Sequence, residues 1–305
     1  MTTAVRLAGY AAVLTLVFGL AWAAGTRTDS VTRPPATATA PARSPAPGPG
    51  PDPHAADPAP AGSGTGTDSE GLASTAAGYS LVVPGTTFTP GRPGELTLTV
   101  IGPDRRPVRA FDVQDDRPLH LVVVRRDAAG YQHLHPELGA DGAWRVPLVL
   151  PTAGVYRAFA DFVPTGGPHL VLGTDLFAGG EFEPVPHPPS RVSQVDGYQV
   201  RLDGDLVPDS PSQIFATVSF GGVPVGDLQP YLGAFGHLVA LRRSDLAYVH
   251  VHPDAAPPAP TDRSGPGIAF TAEVPSPGGY RLFLDFRHGG VVRTAEFAVD
   301  TRDGA

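Results

Sequence analysis

Residues 120–137 read HLVVVRRDAAGYQHLHPE and residues 237–254 read HLVALRRSDLAYVHVHPD, one pattern repeated without a gap. A second pair follows: PTAGVYRAFADF from Pro151 is answered by PSPGGYRLFLDF from Pro275, with seven extra residues in the preceding loop of the second copy. Self-similarity on this scale marks two copies of one domain. They are expected over residues 79–183 and 197–300, joined by a short linker at 184–196.

Each copy is a succession of short runs rich in β-branched and aromatic residues, separated by Gly and Pro turns, with no helical period. In the first copy the expected strands are Tyr79 to Val83, Glu95 to Ile101, His120 to Arg126, Tyr131 to His135, Trp144 to Leu150, Val155 to Val163 and Leu170 to Phe177. Gly154-x-Tyr156, repeated as Gly278-x-Tyr280, matches the tyrosine corner of an immunoglobulin-type strand F. From it Tyr156, Ala158, Ala160 and Phe162 share one face, and Arg157, Phe159 and Asp161 the other. The fold class is therefore all-β: two tandem immunoglobulin-like β-sandwich domains. A cupredoxin-like sandwich is the alternative, but a blue-copper site needs a Cys and the chain has none.

Residues 1–25 include the uncharged run LAGYAAVLTLVFGLAWAAG over Leu7 to Gly25. Its length suits a membrane-spanning helix, and Ala21-Trp22-Ala23 at its end suits a cleaved signal peptide; the first reading is slightly preferred. Arg27, Arg33 and Arg43 just beyond the run give the charge rule no clean direction. All the folded sequence follows the run, so export is expected: a single-pass membrane protein with its domains outside the cytoplasm, or a secreted one if the segment is cleaved. Residues 26–78, rich in Pro, Ala, Gly, Thr and Ser, are expected to be a disordered linker holding the domains away from the membrane.

Composition narrows the chemistry. No Cys and no Lys occur among the 305 residues, and Met1 is the one methionine. That removes thiol nucleophiles, disulfides, thiolate metal ligands, Schiff bases and phosphate-binding lysines. A formal net charge of -8 argues against a nucleic-acid partner, which needs a basic face. No nucleophile elbow, zinc-protease helix motif or phosphate loop is present, so no enzyme is expected.

His133 and His135 form an H-x-H pair on an expected strand, with Cα atoms about 6.5 to 7 Å apart on one face. If Asp127 to Gly130 make the turn and Arg126 faces Tyr131, then His135 lies opposite Val122 and His120 opposite Glu137. The diagonal from His120 to His135 is then about 7 to 8 Å, within reach of a shared ion. The second copy repeats the set as His237, His250 and His252, with Asp254 in the place of Glu137. A slip of one residue would move His120 to the other face. Neutral imidazoles suit a divalent ion, Cu(II) before Zn(II). Glu137 and Asp254 are candidate further ligands. Asp161 and Asp285, repeated in A-D-F and L-D-F, are candidate ligands, partners of a ligating histidine, or ion-pair partners of the repeated arginines, the last being preferred. His54, His169, His187 and His288 do not repeat and are set aside.

The paired H-L-x-V-V-x-R-D…H-x-H-P and P-x-x-G-x-Y-R-x-F-x-D-F segments resemble exported, often membrane-anchored bacterial proteins, mostly uncharacterised. More distantly the architecture is similar to the YtkA-like and CopC-like β-sandwich proteins of periplasmic copper handling. The resemblance implies heavy-metal binding or resistance. Two functions are carried forward: a tethered, non-catalytic protein binding a divalent metal through duplicated three-histidine sites, or a structural module presenting a surface to an envelope protein partner, its histidines only tying strands together.

Overall fold

The computed structural model describes residues 70–249 and 251–302; the expected membrane or signal segment, nearly all of the expected disordered linker, and His250 lie outside the described residues. Among the described residues there is no helix long and apolar enough to cross a membrane.

The first copy comprises β1 (Thr75–Ala76), β2 (Tyr79–Val82), β3 (Thr87–Phe88), β4 (Gly94–Ile101), β5 (Phe111–Asp112) and β6 (Leu119–Arg125). It continues through β7 (Gln132–Leu134), β8 (Glu137–Leu138), β9 (Trp144–Leu148), β10 (Gly154–Pro164) and β11 (Leu170–Ala178). The second copy begins with β12 (Val192–Val195), β13 (Tyr198–Asp203), β14 (Pro211–Phe220), β15 (Val223–Pro224) and β16 (Gly236–Arg242). It ends with β17 (Tyr248–Val249), β18 (Val251–Pro253), β19 (Gly267–Glu273), β20 (Gly279–His288) and β21 (Val291–Asp300).

One sheet of the first copy runs β1-β2-β4-β9-β8 and the other β3-β11-β10-β6-β7, with β5 against β10. The short β3 pairs in parallel with β11, and the other ladders of this copy are antiparallel. β2-β4-β9-β8 and β11-β10-β6 are the A-B-E-D and G-F-C sheets of an immunoglobulin sandwich, with β7 as an added C′ strand. The second copy repeats this as β12-β13-β14-β19-β18, flanked by β15, and β17-β16-β20-β21.

The tyrosine corner is present twice. Tyr156 donates its hydroxyl hydrogen to the Thr152 carbonyl at 3.0 Å, and Tyr280 to that of Ser276 at 2.7 Å. The repeated arginines belong to these corners: Arg125 pairs with Asp127 and donates to the Thr152 hydroxyl, and Arg242 pairs with Asp245 and donates to Ser276. Their recurrence follows from the fold.

Burial of β6 on both faces positions the site. Leu121 and Val123 enter the core of the first copy with Trp144, Tyr156 and Phe162. The opposite face, bearing His120, Val122 and Val124, meets the equivalent face of the second copy. There Val122, Val124 and Phe159 form one cluster with Val239, Leu241, Tyr248 and Phe283. Tyr131 stacks flat on Phe283, ring centroids 4.0 Å apart and 4° from parallel, while its counterpart Tyr248 lies 5.7 Å from Phe159. The copies therefore pair through the same patch on each, as an isologous dimer does.

Candidate metal centre

This pairing brings histidines of both copies together. His120 on β6 lies directly opposite Asp161 on β10, and His237 on β16 directly opposite Asp285 on β20. Because these faces meet, the His120 and His237 rings stack, centroids 5.4 Å apart and 7° from parallel. His133 lies 5.3 Å from His120 and 4.9 Å from His237; His135 lies 5.4 Å from His120 and 4.9 Å from His133. One ring nitrogen from each of His120, His133 and His135 falls within 4.8 Å of the others.

The hairpin register differs from expectation by two residues: Val122 faces His133, and Leu121 faces Leu134. The Asp127 carboxylate accepts from Arg125 and from the Ala129 amide, and Arg125 N–H donates to the Ala129 carbonyl, closing the turn earlier than at Arg126 and Tyr131. An even slip preserves the face, so the histidines still converge. Glu137 does not oppose His120. The chain leaves β7 and crosses to the other sheet, where Glu137 pairs with Arg145 and is exposed. Asp254 likewise lies beside β19, accepting from Thr271 at 2.7 Å, away from His237. The preferred arginine pairing of Asp161 and Asp285 is also overturned. Arg157 donates to the Gly71 carbonyl and Asp175, and Arg281 to the Phe297 carbonyl and Glu296. Asp285 instead meets His133 of the other copy at 2.8 Å and Thr294 at 2.6 Å, and Asp161 meets His169 at 2.6 Å. His237 stands against the first copy's histidines, while His252 is exposed on β18.

The hydrogen bonds fix the proton positions. His120 Nε2 lies 3.0 Å from the Gln114 carbonyl, which only accepts, so Nε2 carries the hydrogen. His133 Nδ1 lies 2.8 Å from the Asp285 carboxylate and carries the hydrogen in the same way. In the neutral rings this leaves His120 Nδ1 and His133 Nε2 bare, facing each other at 3.1 Å. Two lone pairs at that distance repel unless a cation lies between them. Bonds of about 2.0 to 2.1 Å at a tetrahedral metal place two nitrogens about 3.3 Å apart. His135 Nε2 is buried with no hydrogen-bond partner among the described residues. A carbonyl and a carboxylate outside, and bare nitrogens inside, is the arrangement by which proteins orient metal-binding imidazoles.

Burial sets the charges. It pushes His133 down to about 3, helped by His120, and His135 down to about 3, helped by His133 and His120. Burial also lowers His237 far below the usual histidine range and raises Asp285 to about 6. At neutral pH these three imidazoles are uncharged and Asp285 is a carboxylate.

A cavity of about 400 Å³ adjoins the cluster between the copies, walled by His120 and His237 on one side and by Asp115, Asp161, His169 and His252. The hydroxyl of Tyr248 hydrogen-bonds Asp161. Residue-by-residue reading missed Asp115, whose repeat counterpart is Leu232, and set aside His169, which lies in the β10–β11 loop where the two copies differ; neither carries a repeat signal.

Fold and site define a tandem immunoglobulin-like protein with a histidine cluster buried where its two copies meet. The chain belongs to the family described as Domain of unknown function (DUF8832), which matches residues 74–174 and 193–303. No curated protein matches it. Among solved structures, a Salmonella alpha-2-macroglobulin mutant is similar at 16% identity and TM-score 0.24 over 74% of this chain, and FdeC, an Escherichia coli adhesin, at 12% and 0.24 over 74%. The chain spans 15% and 64% of those two proteins. The D00-D0 domain of intimin is similar at 16% identity and TM-score 0.23, over 74% of this chain and all of that one. The immunoglobulin assignment rests on the strand order and the tyrosine corners.

Proposed function

We propose that this chain is an exported, non-catalytic binding protein for a divalent transition metal, Cu(II) before Zn(II), with His120, His133 and His135 as ligands in one centre between the copies. The observation that carries the reading is the pair of bare nitrogens 3.1 Å apart, each held by an outward hydrogen bond to an acceptor. The donor set supports the choice of metal: three imidazoles without thiolate or thioether suit Cu(II) and Zn(II), with Cu(II) bound more tightly. His237 and Asp285 make the centre a joint property of both copies. The uncharged N-terminal run supports tethering to the outer face of the cell membrane, and the resemblance to copper-handling sandwich proteins agrees with the cargo.

Calorimetric titration of the tag-free full chain with Cu(II) and Zn(II) tests the reading. One ion per chain is expected, lost in His133→Ala. Asp285→Asn should weaken binding about 10- to 100-fold, the usual cost of removing a carboxylate that orients a metal-bound imidazole. A folded wild type that takes up no metal would leave the interaction module, with His120 and His133 sharing a proton and His133 tied to Asp285 across the interface, as the better account.

A further inference from the structure

A metal ion bound by His120 and His133 has to reach side chains that are almost fully buried: His120 is 4% exposed and the His133 side chain 3%. Besides an opening of about 460 Å³ beside His135, where Arg145 stands against Glu95 and Glu137, two openings adjoin the cluster. One, of about 650 Å³, reaches His135 past Arg109, Arg117 and Glu137. The other is the cavity of about 400 Å³ between the copies, which reaches His120 and His237 past Asp115, Asp161 and His252. Their charges are opposite in effect. The first presents two arginines against one carboxylate, and Arg117 acts on His135 as a repelling cation. The second presents two carboxylates and no arginine among the described residues that line it. Charge lining a cleft with low-dielectric walls concentrates ions of opposite sign and repels its own.

We propose that the metal ion enters and leaves through the cavity between the copies, drawn by Asp115 and Asp161 at its mouth and passed inward along the stacked His237 and His120. This rests on the metal-binding reading and adds the route. Asp115 stands at the outer end: its side chain is 44% exposed and its carboxylate lies 3.9 Å from His237 Nδ1. Asp161, 13% exposed, lies directly opposite His120. The His237 ring bridges the two zones, 5.4 Å from His120 and 4.9 Å from His133. A single imidazole reaching both the cavity and the inner cluster can hold an ion that sheds water before it meets the inner nitrogens.

Stopped-flow mixing of the full chain with Zn(II) and a chromophoric zinc indicator separates the route from the site. Asp115→Asn keeps a residue suited to the left-handed backbone there, φ 45°, and Asp161→Asn keeps the side-chain shape. The double variant should take up Zn(II) about tenfold more slowly, in line with loss of electrostatic steering. Release should slow with uptake, so the equilibrium Kd moves much less. Arg109→Gln, at the opening beside His135, should leave the uptake rate unchanged. Normal uptake in the double variant, or faster uptake in Arg109→Gln, would overturn the route while the site stands; no uptake by the wild type would overturn both.

Discussion

At the scale of the residue, the cluster is governed by how few protons it holds. His133 and His135 titrate at about 3 in the folded chain against 6.5 in the unfolded one, and His237 is depressed in the same direction. Between those values the unfolded chain binds more protons, so these groups destabilise the fold as pH drops below 6.5. Asp285, raised to about 6 from 3.8, acts in the opposite sense between those two values. Three histidines outweigh one carboxylate. The metal-free protein should therefore be most stable above pH 6.5 and lose stability steadily toward pH 3; urea midpoints that stay flat from pH 7 to 4.5 would contradict this. Tyr131 offers a second test. Its buried hydroxyl has no partner among the described residues, so Tyr131→Phe should keep the stacking on Phe283 and stabilise the protein by about 1 kcal/mol, the desolvation cost of an unsatisfied hydroxyl. A lower urea midpoint would mean that the hydroxyl is paired.

At the scale of the element, β6 and β10 serve two cores at once. Phe283 on β20 is fully buried against the first copy, so Phe283→Ala should cost about 3 to 5 kcal/mol in urea unfolding of the full chain; a loss below about 1 kcal/mol would show that the copies do not depend on this contact. Both sandwiches were legible in the sequence because turn residues separate short runs of β-type residues, most of which alternate apolar and polar positions. The meeting of the copies was written there too, in HLVVVR, where the apolar run does not alternate, and in Phe159 and Phe283 on the face opposite the core. A reading of one copy at a time passes over these signs, since burial of a second face needs a partner. The convergence of three histidines survived a wrong register because the slip was even. Glu137 and Asp254 did not join them, since the chain changes sheets just after the H-x-H pair in the first copy and before His252 in the second, and sheet changes leave no periodic trace.

At the scale of the whole molecule, the duplication provides more than two equal binding units. Each copy offers a histidine face, and among the described residues pairing those faces yields an asymmetric cluster: the first copy supplies three converging rings, the second supplies His237 and the carboxylate that orients His133. A single copy could not hold His133 in that orientation. Asp115 and His169 add to the asymmetry: the second copy has Leu232 in the place of Asp115, and its β20–β21 turn is shorter than the β10–β11 loop that carries His169. The most direct test is an anomalous scattering map, recorded at the metal absorption edge, from crystals of the protein loaded with one equivalent of Zn(II) or Cu(II). The account predicts one dominant peak at bonding distance, about 2.0 to 2.1 Å, from ring nitrogens of His120, His133 and His135. Peaks confined to exposed histidines such as His252, or none at the interface, would contradict it.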